Sequence, residues 1–146
     1  MQLSTLNFNK ELAFGECGAL VVANATALIV SHLTRKPAVI SASAVGGTLV
    51  GGALFWLAAR IYDKVATKDF SVDEMSSDIR YFTPAAIIFG LIGYDPSLYF
   101  VSCYLLARDW RVGTSVVTAQ TIAFALFLAC MNGYRVVLLR VRGKQL

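Results

Sequence analysis

The residue of this chain that most demands a chemical explanation is Asp95, which stands with Pro96 at the middle of the apolar stretch from Tyr81 to Ala107. A spanning helix needs about 20 residues, so this stretch can cross a bilayer once and Asp95 is expected near the midplane. A charged Asp there costs at least ~2.5–3.5 kcal/mol on insertion scales, so it must face protein or water, or carry a proton. Pro96 has no amide hydrogen and disfavours helical backbone at the residue before it, so the span is expected to kink or break at Gly93 to Asp95. Two roles for Asp95 follow. It can cap the second half of a broken helix, with Pro96 as the first helical residue. It can also line a polar cavity and bind a proton, a cation or a substrate group, as discontinuous helices do in transporters.

Counting about 1.5 Å per residue from each interface gives Asp95 its expected neighbours. Asn24, Thr26 and Thr48 fall near the same depth, and Gln120 somewhat nearer the outer face. Together with Asp95 they make a polar midplane cluster whose side chains can donate to the carboxylate. Glu16 and Arg135 share a depth nearer the cytoplasm and form the expected ion pair, with Asn132 as a third partner. The alternative is that Arg135 snorkels to headgroups and Glu16 sits at the interface.

Other chemistry is sparsely provided. His32 is the single histidine, too few nitrogen ligands for a haem or copper centre. Cys17, Cys103 and Cys130 are widely spaced within predicted spans and read as small buried hydrophobes. Neither a phosphate-cradling glycine loop nor a nucleophile elbow occurs, so no cofactor, no metal and no catalytic residues are expected, and the chain is not expected to be an enzyme.

The elements that hold these residues follow from composition. Hydrophobic residues make up 57% and charged residues 15%, against about 45–50% and 25% in soluble domains. The 146 residues suit one all-α domain with four transmembrane helices in an antiparallel bundle. The spans are expected at Leu12 to Leu33, Ala38 to Ala59, Tyr81 to Ala107 and Val112 to Leu139. Met1 to Glu11 holds no cationic region followed by a short apolar core, so the first hydrophobic segment is expected to stay as a span. In the second span Ser43, Gly47 and Gly51 recur every four positions with Thr48 and Gly52 one step round, a small-residue face that lets another helix approach closely. From Arg60 to Arg80 the charge density marks a segment outside the membrane. Ser71-Val72-Asp73-Glu74 fits a capping box, so a short amphipathic cytoplasmic helix is expected before the third span. Tyr62, Tyr81 and Tyr134 read as interfacial residues, whereas Tyr94, Tyr99 and Tyr104 lie deeper and need hydroxyl partners. With four spans, nine Lys and Arg fall on the side of the termini and four on the other. That bias puts both termini in the cytoplasm of a cell with the chain in its plasma membrane. The net charge of +4 is then a topology signal, and no nucleic-acid module accompanies it.

Two functions are consistent with these features. The leading expectation is a non-catalytic subunit of a larger membrane complex, for example an energy-converting or oxidoreductase assembly, with lipids and other transmembrane subunits as partners. The alternative is a small transporter or exporter built from copies of this chain, using Asp95 at the midplane. The order of features is loosely similar to that of small four-span exporters of the L-alanine exporter type, and no residue role is taken from that likeness.

Overall fold

A computed structural model describes residues 3–66 and 72–142. The described residues form helices and no strands: α1 (Leu3–Leu33), α2 (Pro37–Ala66), α3 (Val72–Phe89), a π-helical turn (Gly90–Tyr94), α4 (Asp95–Leu106) and α5 (Val112–Arg142). Four stretches are long and apolar enough to cross a membrane: Phe8–Leu33, Pro37–Ala66, Ile79–Leu106 and Val112–Val141. The chain is therefore read as an integral membrane protein. The first and second spans extend about one and two turns beyond their sequence-based limits, at the N-terminal end of one and the C-terminal end of the other. In a continuous helix the charged residues at the ends, Glu11 and Arg60 among them, stay helical because neighbouring helices cover them.

The turns explain where helices start and stop. Pro37 opens α2 at the position where a missing amide hydrogen is harmless, and the Lys36 carbonyl accepts the Ile40 amide at 3.2 Å. The α4–α5 turn closes with Asp109 at φ 60°. The Asp109 amide bonds the Leu106 carbonyl at 3.1 Å and the Trp110 amide the Leu105 carbonyl at 3.2 Å, a Schellman pattern with Asp in place of the usual glycine. The Ser71 to Glu74 capping box lies outside the described side chains. The helix that follows it is not a separate amphipathic piece, because α3 runs unbroken from Val72 into the third span.

α1 folds back closely on α2. A Cβ added at Gly47 would strike Thr26 and Ala23, one at Gly51 would strike the Gly18 carbonyl, and one at Gly18 would strike the Phe55 ring. Thr26 Oγ1 donates across this contact to the Ser43 carbonyl at 3.0 Å. The small-residue face of α2 is thus packed within the chain. Adding one methyl should separate the packed glycines from the open ones. Gly51→Ala is expected to lower stability by about 1–3 kcal/mol through overpacking. Gly46→Ala, where a Cβ meets nothing within 4 Å, should raise it by up to ~1 kcal/mol through helix propensity. Thermal unfolding in detergent reads both.

Three buried clusters complete the packing: Phe8, Leu12, Phe82, Ala85, Met131 and Leu138; Tyr94, Leu98, Ala119 and Ala123; and Ala23, Ala27, Ile40, Ala44 and Val116. Phe82 carries α3 onto α1 and α2, with its ring edge-on to Phe8 and stacked on Trp56 at 3.9 Å between centroids.

Candidate functional site

The site is built around the π-helical turn. Pro96 cannot donate to the carbonyl four residues earlier, and its ring would collide with it in an α-helix. Widening the preceding turn removes that conflict, and the Asp95 amide bonds the Gly90 carbonyl five residues back. Tyr94 and Asp95 keep helical backbone angles, φ −67° and −63°. The expected break is therefore a π turn in a continuous helical path. Asp95 does not take the expected capping role: the N-cap position of α4 falls on Tyr94, α4 has no side-chain cap hydrogen bond, and the Asp95 amide bonds the Gly90 carbonyl.

Asp95 is 9% exposed, and its Oδ1 is buried without a hydrogen-bond partner. Beside it the Tyr94 hydroxyl donates to both oxygens of Glu16, 3.0 Å from each. Tyr94 is fixed in turn by Phe127, edge-on at 5.8 Å, and by Leu98, which is fully buried in the same cluster. The π turn thus presents two successive residues, one that engages a carboxylate of α1 and one that is itself an unpartnered carboxylate.

Both carboxylates line a cavity of about 460 Å3. Its walls come from α1 (Leu12, Gly15, Ala19), α2 (Thr48, Leu49, Gly52, Trp56), α3 (Phe82, Thr83, Ala86), the π turn and α5 (Phe124, Phe127). They are mostly aliphatic and aromatic. Thr48 directs its hydroxyl to its own Ala44 carbonyl at 3.0 Å, and Trp56 Nε1 is buried without a partner. Among the described residues no Lys, Arg or His lines the cavity, and no group of three His, Cys, Asp or Glu side chains is arranged to hold a metal ion.

The residues expected at the midplane divide between two places. Thr48 and Asp95 share the cavity. Gln120 is completely buried and lies against the Glu16–Tyr94 contact, within reach of both side chains. Asn24 is elsewhere: its amide donates to Leu20 at 2.9 Å, and its oxygen would lie 3.8 Å from a Cβ at Gly113, near the start of α5. The Glu16–Arg135 ion pair does not form. The helix register sets Asn132 against Asn9 at 2.9 Å, so Arg135 lies with the N-terminal turns of α1, its guanidinium 5.6 Å from the centre of the Phe8 ring. Glu16, two turns further along, meets Tyr94 instead.

Several polar contacts had no forecast in the sequence. Arg60 Nη1 donates to both oxygens of Glu11, at 2.7 and 2.8 Å, where Glu11 is 3% exposed. Ser102 donates to Ser41 at 2.8 Å between two fully buried hydroxyls. Tyr134, expected at the interface, reaches the Tyr81 carbonyl at 3.2 Å. Glu11 and Asn9 lie one and three residues before the cavity-lining Leu12, and Arg60 lies about one turn after the cavity-lining Trp56.

Compared with known proteins, the chain matches no family model, no curated protein and no solved structure.

Proposed function

We propose that this chain is a small membrane carrier that binds a small solute between its spanning helices and moves it across the bilayer. One observation supports this above the others: the unpartnered carboxylate of Asp95 borders a cavity large enough for a small molecule, inside the membrane-spanning part of the chain. A buried polar group without a partner is destabilising, and ionisable residues at such depth are functional candidates by default. A site of about 300–1,000 Å3 with mostly apolar walls and few polar groups is what small-molecule binding uses. In this reading the helices form an antiparallel bundle with both termini in the cytoplasm, and copies of the chain assemble into a small oligomer.

The other reading, a non-catalytic subunit of a larger complex, drew on the small-residue face of α2 as a surface for a partner. With Gly47 and Gly51 against α1, it has less to draw on.

The test is release from vesicles. Purified chain is reconstituted into liposomes loaded with a mixture of amino acids, amines, carboxylic acids and sugars, and the contents are followed by mass spectrometry. One chemical class is expected to leave faster than from protein-free vesicles, and the purified chain should run as a small homogeneous oligomer. Retention of every class at the protein-free rate, or co-purification as one subunit of a larger assembly, would overturn the proposal.

A further inference from the structure

We infer that the cavity is a binding site for an organic cation with an apolar body, and that Asp95 is its counter-ion. This rests on the carrier reading only for the cavity's purpose; the chemistry of the ligand comes from the walls. Asp95 is nine-tenths buried with a carboxylate oxygen that nothing in the chain satisfies, and Glu16 adds a second carboxylate to the same cavity. Among the described lining residues there is no cationic side chain to balance either one. An anionic ligand would meet like charge at close range in an apolar surrounding, which costs several kcal/mol. A neutral polar solute would need several donors and acceptors, and the walls supply few.

A bare metal cation fits no better. Hard cations take six or more oxygen ligands, whereas Thr48 directs its hydroxyl to its own helix and both Glu16 oxygens accept from Tyr94. What remains complementary is a single positive centre carried on a hydrophobic frame. Its charge would lie against Asp95 and its apolar part against Leu12, Ala86 and the rings of Trp56, Phe82 and Phe124. The Glu16 carboxylate, held by the Tyr94 hydroxyl, contributes field rather than direct contact.

Two water-soluble probes of similar size and opposite charge test this on the intact chain in detergent: benzyltrimethylammonium and benzylsulfonate, titrated by calorimetry. The ammonium probe is expected to bind at least about tenfold more tightly than the sulfonate, and Asp95→Asn should remove that preference. The wild-type comparison stands even if the variant does not fold. Equal affinity for the two probes, binding of neither, or a preference that survives intact in folded Asp95→Asn would overturn the inference. The carrier reading is judged separately: vesicles that release a neutral or acidic solute from a chain indifferent to the ammonium probe would keep the carrier and discard the cation site. Selective cation binding without any release would do the reverse.

Discussion

Asp95→Asn is expected to slow solute release from loaded vesicles by about a hundredfold or more while leaving the melting temperature unchanged or higher. The size follows from the setting. Removing one partner of a buried charge pair is worth about 3–5 kcal/mol, and ~2.7 kcal/mol is already a hundredfold in rate. The carboxylate makes no hydrogen bond or ion pair among the described residues whose loss would weaken the fold, and its Oδ1 is buried unsatisfied. Asparagine keeps the shape and removes the charge. Release assays and thermal unfolding on the same preparation check both halves. An Asp95→Asn chain that transports normally would return Asp95 to a structural role. One that unfolds would show the carboxylate to be held by contacts the present geometry lacks.

The largest loss of stability is expected from Arg60→Ala. Arg60 and Glu11 join α2 to α1 through two short contacts of 2.7 and 2.8 Å, with side chains only 14% and 4% exposed. Taking away the guanidinium removes the charge that both Glu11 oxygens face, and breaking a buried pair from one side costs about 3–5 kcal/mol. Replacing both partners by apolar residues of similar volume, as in Glu11→Leu with Arg60→Met, is expected to restore most of that loss, because neither charge is then left in an apolar surrounding. Unfolding midpoints of the wild type, the two single variants and the double variant give the coupling directly. Equal stability of Arg60→Ala and wild type would mean that the pair adds nothing beyond the packing of its helices. The neighbouring Lys10–Asp63 contact, at 3.2 Å with Lys10 65% exposed, is expected to contribute little by comparison.

The helices and their apolar character are legible in the sequence because each span is a long apolar run that carries few charged residues. The α1–α2 contact was legible as a capacity, since Gly47 and Gly51 leave room on one face, but spacing alone could not name the partner. One signal was present and unused. Folding the chain back at Thr34 to Lys36 pairs residues equidistant from that turn, which brings Thr26 to Ser43, Gly18 to Gly51 and Glu11 to Arg60. In the sequence Glu11 and Arg60 mark the membrane edge, because charge ordinarily marks water. Depth counting failed for Glu16 and Arg135 because helices that extend past the bilayer have no fixed zero from which to count. It failed for Asn24 because similar depth does not imply a shared face. Tyr94 was recognised as needing a partner, and only the tertiary register identified Glu16. Pro96 is an obstacle to α-helix, but a wider turn resolves that obstacle as well as a break does, and no local pattern distinguishes the two.

The π turn also changes how the third span should be lined up with that of any relative. Each residue of an α-helix advances about 100° round the axis, and a π turn takes up one extra residue without lengthening the path of the helix by a full turn. Before it the inward positions are Phe82 and Ala85; from its last residue onward they are Tyr94, Asp95, Leu98 and Ser102, while Ile92 within it and Phe100 beyond it point out at 76% and 67% exposure. A chain one residue shorter between Phe89 and Asp95 could keep every apolar letter of this span and still turn its aspartate away from α1 and α2. A single-residue gap placed there in an alignment therefore carries more functional information than most substitutions on either side of it.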